Sequence, residues 1–151
     1  MKQNKSKSNP SSPNRSWPAR LMFQGWSSVA LWMSVGLLLE GLLGYKIPSY
    51  LNDLDRRELF RLAHTHGTFL GLVLIAAALS ERRGASLPRA ASMALSAGSA
   101  LMPLGFLLAG IKHPEGDPGP AIWLVPPGAL LVIFGTVTLA LAHLKKNAPP
   151  D

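Results

Sequence analysis

The sequence predicts an all-α integral membrane protein: a four-helix bundle of four transmembrane helices with both termini on the cytoplasmic side. Three observations predict it. Apolar residues gather into four blocks of about 20, each long enough to cross a hydrocarbon core of about 30 Å at 1.5 Å per residue. Charged residues make up 15% of the 151-residue chain, below the roughly 25% of soluble domains. The basic residues flank the blocks, and the mean hydropathy of +0.21 is modest because the chain opens on a long polar stretch.

Residues 1–24, rich in Ser, Asn, Pro and Lys without apolar periodicity, are expected to form a disordered basic cytoplasmic tail. Residues 25–144 are expected to form the membrane domain, and 145–151 a short cytoplasmic tail. The first block covers about 25–44. It is longer than a signal-peptide core and is followed by no A-x-A-like cleavage site, so it reads as a span. The second, about 59–80, carries Arg61, His64 and His66 in its first third, but 67–79 is uncharged. The third, about 89–111, is rich in Ala, Ser and Gly. The fourth, about 121–143, has Pro126-Pro127 near its start.

Orientation follows from Lys and Arg. Lys2, Lys5, Lys7, Arg15, Arg20, Arg82, Arg83, Arg89, Lys145 and Lys146 fall on one side, which is ten of the fifteen basic residues. On the other side Lys46, Arg56, Arg57, Arg61 and Lys112 are mixed with Asp53, Asp55, Glu58, Glu115 and Asp117. The Arg56-Arg57 pair resists this assignment. The net charge of +7 does not point to nucleic acid, because the basic residues sit at block ends and do not line one surface interleaved with aromatics. With no cysteine, disulfides, thiolate metal sites and thioether-attached haem are excluded. Gly44-Tyr45-Lys46-Ile47-Pro48 and Gly110-Ile111-Lys112-His113-Pro114 share a G-x-K-x-P pattern. Duplicated hairpins or convergent helix-stop chemistry would each explain it.

Ionisable residues within a span mark a site or a buried pair. Glu40 ends the first block, His64 and His66 begin the second, and His113 closes the third, so the topology puts all four near one depth under the outer surface. At 100° per residue His64 shares a face with Gly67, Thr68, Gly71 and Ile75, whereas His66 lies about 200° round the helix beside Leu62, Phe69, Leu70 and Val73. One helix cannot aim both imidazoles at one metal ion. The plainer alternatives are a protonated Glu40 or a Glu40–Arg61 pair, imidazoles anchored at headgroup depth, and an exposed His113 in the loop-like KHPEGDPG stretch. His143 reads as interfacial. Asp53, Asp55 and Glu58 are expected to pair with neighbouring arginines in a short interfacial helical turn.

The segment Leu62-Ala63-His64-Thr65-His66-Gly67-Thr68-Phe69-Leu70-Gly71 resembles the second-helix segment of haem-copper oxidase subunit I. In that family the His directly before Gly is an axial haem ligand, a role the resemblance would give to His66. The oxidase core has many more helices and further His ligands that this chain lacks. Leu38-Leu39-Glu40-Gly41, then Tyr50, Leu51, Asp53, Arg56 and Arg57, resembles small uncharacterised four-helix bacterial integral membrane proteins, which implies a multi-pass protein of the bacterial inner membrane.

Three functions compete at this point. The first is a redox-associated protein holding haem b or a metal near the outer leaflet through His64, His66 and His113, with Glu40 nearby. The second is an accessory or structural subunit of a larger membrane complex, or a homo-oligomer, packed through the small residues of the third block. The third is a small proton-coupled transporter using Glu40, similar to the small multidrug resistance family, which also has four helices and a glutamate in the first. Beyond the lipid bilayer no partner is specified. Enzyme motifs are absent: there is no phosphate-binding Gly loop after a strand, no G-x-S-x-G and no H-E-x-x-H.

Overall fold

The computed structural model describes residues 17–114 and 116–146. The expected tails fall largely on residues 1–16 and 147–151, outside the described residues. The described chain is all helical. Helix α1 spans Trp17–Gly44, a short α2 spans Pro48–Leu51, α3 spans Leu54–Arg82 and α4 spans Arg89–Ile111. A 3-10 turn, Pro120–Leu124, leads into α5, Val125–Lys146. Among the described residues four helical stretches are long and apolar enough to cross a membrane: α1, α3, α4 and Pro120–Lys145.

Three of these helices exceed their expected bounds. Helix α1 begins at Trp17 and not near residue 25, so residues 17–24 belong to the helical domain. Pro18 sits in the first turn, where its missing N–H is harmless. Leu21, one turn in, is fully buried with Leu74, Leu87 and Leu95. Helix α3 begins at Leu54, before the expected start near 59, because the Asp53 side chain caps it by accepting the Arg56 backbone N–H at 2.9 Å. The acidic and basic residues expected in a separate interfacial turn are thus the first turns of a spanning helix, with i,i+3 pairs Asp53–Arg56 and Glu58–Arg61 at 3.4 and 3.7 Å. Lys145 and Lys146, expected in the tail, lie in α5.

Two helices end in the same hydrogen-bond pattern. After α3, Gly84 takes φ +95°, its N–H donates to Glu81 O, and the next N–H, of Ala85, donates to Ser80 O. After α1, the left-handed position falls on Lys46, φ +53°, with Lys46 N–H donating to Leu43 O and Ile47 N–H to Leu42 O. Gly44 is not the terminator. The matching Lys112 of the G-x-K-x-P echo is extended, φ −133°, so the two stretches share letters and not geometry.

The helices pack in sequence, α1 on α3, α3 on α4 and α4 on α5, with a smaller contact between α1 and α4. Glycines set the closest seams. Gly25 and Gly71 bring α1 and α3 backbone to backbone, the Trp32 ring lies on Gly67, and Gly98, Gly128 and Gly135 do the same work between α4 and α5. The two inner helices, α3 and α4, are 44% buried over their most apolar stretch, while α1 and the Pro120–Lys145 stretch are 11% buried. The outer pair therefore offers wide apolar faces such as Phe23, Leu37, Leu130 and Phe134.

Candidate functional site

At the end where α1 finishes and α3 starts, a groove of about 520 Å³ lies between α1, α2 and α3. Met33, Leu37, Leu39 and Leu43 make apolar walls, and Glu40, Arg57, Arg61, His64 and Tyr50 supply polar groups. The local sequence builds it. Arg57, Arg61 and His64 are spaced i, i+4, i+7, which puts them on one face of α3. Glu40 lies one turn beyond Gly36, the residue that His64 packs on. Tyr50, 5% exposed, closes the groove from α2.

His64 is held in one orientation. Its Nδ1 lies 2.6 Å from the Trp32 carbonyl oxygen, which can accept but not donate, so Nδ1 carries the proton. In the neutral ring Nε2 is then the lone-pair nitrogen. Room for the ring exists because position 36 has no side chain: a Cβ there would lie 2.4 Å from His64 Cε1. The side chains of Glu40 and Arg57 make no hydrogen bond or ion pair among the described residues, and Arg61 pairs with Glu58. The alternative Glu40–Arg61 pair is not formed.

The other two candidate histidines are elsewhere. His66 Nδ1 donates to Leu62 O at 2.8 Å, and its ring faces α4 against Phe106 with centroids 5.1 Å apart. His113 is only 6% exposed in its side chain, not free in a loop. Its Nε2 meets Asp53 Oδ2 at 3.1 Å and its Nδ1 meets Pro114 O at 2.9 Å. Both partners are acceptors, and a neutral ring donates to just one. Arg56 completes this clasp by donating to Gly110 O and Ser49 O, both at 3.1 Å. The Arg56 backbone N–H, foremost, and the neighbouring His113 and Arg56 side chains hold the Asp53 carboxyl below its ordinary value of 3.8, against an opposing effect of burial.

Glu40 and His64 line one groove, and His113 does not reach it. Asp53, its partner, lies about three turns before His64, about 16 Å at 1.5 Å per residue. A bis-histidine haem does not fit these residues, since His64 turns to α1, His66 to Phe106 and His113 to Asp53. Among the described residues no three His, Asp or Glu side chains come close enough to hold a metal ion.

Sequence reasoning missed two features. The i, i+4, i+7 run puts Arg57, Arg61 and His64 on one face of α3, where the sequence suggests only arginines paired with neighbouring acids in one turn. Gln24, assigned to a tail, donates from Nε2 to Ser96 O at 2.8 Å and Ser99 Oγ at 3.2 Å, joining α1 to α4 inside the bundle. No protein-family model, curated protein or solved structure matches the chain at a significant level.

Proposed function

We propose that this chain is a multi-pass protein of the bacterial inner membrane, both termini cytoplasmic, whose groove binds an amphipathic anion entering from the outer leaflet. The supporting observation is the pairing of apolar walls with two guanidinium groups, one of them, Arg57, without an ion pair among the described residues. A guanidinium at the edge of hydrocarbon is costly alone and well matched by a headgroup with two acceptor oxygens. Leu37, Met33 and Leu43 supply the surface for an acyl or other apolar portion. Glu40 shares the groove with these guanidinium groups and is the residue through which anion binding would couple to a proton, the reading of a proton-coupled carrier.

The test is native mass spectrometry of the purified protein offered short-chain phosphatidylglycerol or phosphatidylcholine. Wild type should retain the anionic lipid preferentially. Arg57→Gln should lower its occupancy about tenfold, the effect of losing one charge-assisted hydrogen bond. Equal retention of both lipids, or an Arg57→Gln variant that binds like wild type, ends the proposal. A second reading, a subunit packed against itself or another membrane protein, is favoured by the outward face of α1, where Ala30 and Ser34 are exposed and Gly41 has nothing near it. The same spectra read it, since a monomer carrying lipid alone would remove it.

A further inference from the structure

We infer that the mouth of the seam between α1 and α4, at the end of the bundle away from the groove, binds an acidic phospholipid through Arg20 and Arg89. This second site shares no residue with the groove and stands whether or not the groove takes an anion.

The first support is a convergence of like charge. Arg20, near the start of α1, and Arg89, at the start of α4, both stand over the Trp17 ring, 5.4 and 6.0 Å from its centroid. Among the described residues neither arginine has an ion pair. Glu81, the sole carboxylate at this end among the described residues, instead accepts from Ser92 Oγ at 3.1 Å. Two guanidinium groups gathered without an acid repel each other, and an anion between them turns that repulsion into attraction. Both arginines are exposed. An exposed cation–π contact is weak beside a charge-assisted hydrogen bond to phosphate, so either side chain can leave the ring for a phosphate lodged at its edge.

The second support is what lies beneath the arginines. Arg20 and Phe23 are i, i+3 on α1, and Arg89 and Met93 are i, i+4 on α4, so each cation has an apolar neighbour one turn deeper. Phe23 is 76% exposed and Met93 49%. They offer surface to acyl chains on the same two helices that carry the headgroup ligands. Gln24, one turn after Arg20, donates to Ser96 O at 2.8 Å and Ser99 Oγ at 3.2 Å. That bridge fixes the spacing of the two helices just below the mouth. On the proposed orientation this end meets the cytoplasmic leaflet, whose anionic lipids are drawn to basic residues at helix ends. A soluble anion would satisfy the guanidinium groups but leave Phe23 and Met93 bare, and so the ligand is a lipid.

The experiment labels the arginines of the full chain with phenylglyoxal in mixed micelles and reads each modified peptide by mass spectrometry. Phosphatidylglycerol is titrated in against a phosphatidylcholine background. Arg20 and Arg89 should be protected together, with one shared midpoint. Arg82, exposed at the same end but not on the Trp17 ring, should keep its phosphatidylcholine rate. In Arg89→Gln the midpoint for protecting Arg20 should move about tenfold higher, the effect of losing one charge-assisted hydrogen bond. Should Arg89→Gln aggregate, Arg20→Gln read at Arg89 replaces it with the same expected shift. Glycerol 3-phosphate at the same concentrations should protect neither arginine. Equal protection of all three arginines would mean general surface charge, and protection by glycerol 3-phosphate would mean a soluble anion. Either result, no protection by phosphatidylglycerol, or an unmoved midpoint in the variant overturns the inference. Arg57 is read in the same digest, so failure of the groove and failure of this site are told apart.

Discussion

Asp53 shows how much one short side chain can organise. Its Oδ1 starts α3, and its Oδ2 holds His113 and Arg56, so the loop after α4 is tied to the head of α3. Because its pKa is lowered in the folded protein, its ionised form adds stability at pH values above the ordinary range near 3.8. That contribution is lost as pH falls through the depressed folded value. Asn caps a helix about as well as Asp, so Asp53→Asn removes the charge while leaving the cap. The melting midpoint in detergent should drop by a few degrees at pH 6, and wild type and variant should converge as the buffer is taken below pH 4. A gap that stays constant with pH would place the effect in the cap alone. The Asp53–Arg56 pair follows from the sequence, but the contact of Asp53 with His113 does not. A contact between residues so far apart in the chain leaves no local pattern.

At the scale of the element, the sequence announces each span through its apolar run, and α4 keeps its expected bounds of 89–111. The extra turns of α1 and α3 were hidden for a physical reason. Gln24 and the run from Asp55 to Arg61 break the apolar window, and only tertiary contacts, with Leu21 in the core and Asp53 as cap, show that they are helical. The small-residue face of His64, with Gly67 and Gly71, was legible, and it does meet α1. Its energetic content can be measured. A Cβ at Gly67 would sit 2.3 Å from Trp32 ring carbons, whereas one at Gly41 would meet nothing within 4 Å. Gly67→Ala should destabilise by about 1–3 kcal/mol through overpacking. Gly41→Ala should be neutral or gain up to about 1 kcal/mol from helix propensity. Both are read from unfolding in mixed micelles titrated with dodecyl sulfate, and equal midpoints would mean that the α1–α3 seam is loose.

For the molecule as a whole, the distribution of charge argues for an orientation, and one of the two arginines that oppose it is engaged within the fold. Arg56 and Arg57 stand on the side proposed to be outside, contrary to the usual excess of positive charge within. Arg56, however, is engaged by Asp53 and by the carbonyls of Gly110 and Ser49, and Arg57 lines the groove. Arg56 is thus tied into the fold, whereas Arg57, without an ion pair among the described residues, still counts against the orientation. At the other end Arg20 and Arg89 stack on Trp17 at 5.4 and 6.0 Å from its ring, an arrangement suited to headgroup depth. A chain without cysteine makes the orientation directly measurable. Tyr45→Cys, in the exposed stop after α1, should react with a membrane-impermeant maleimide on intact cells. Ser86→Cys, in the link between α3 and α4, should react only after the membrane is opened. The reverse pattern would turn the protein over and place the Glu40–His64 groove at the cytoplasmic leaflet.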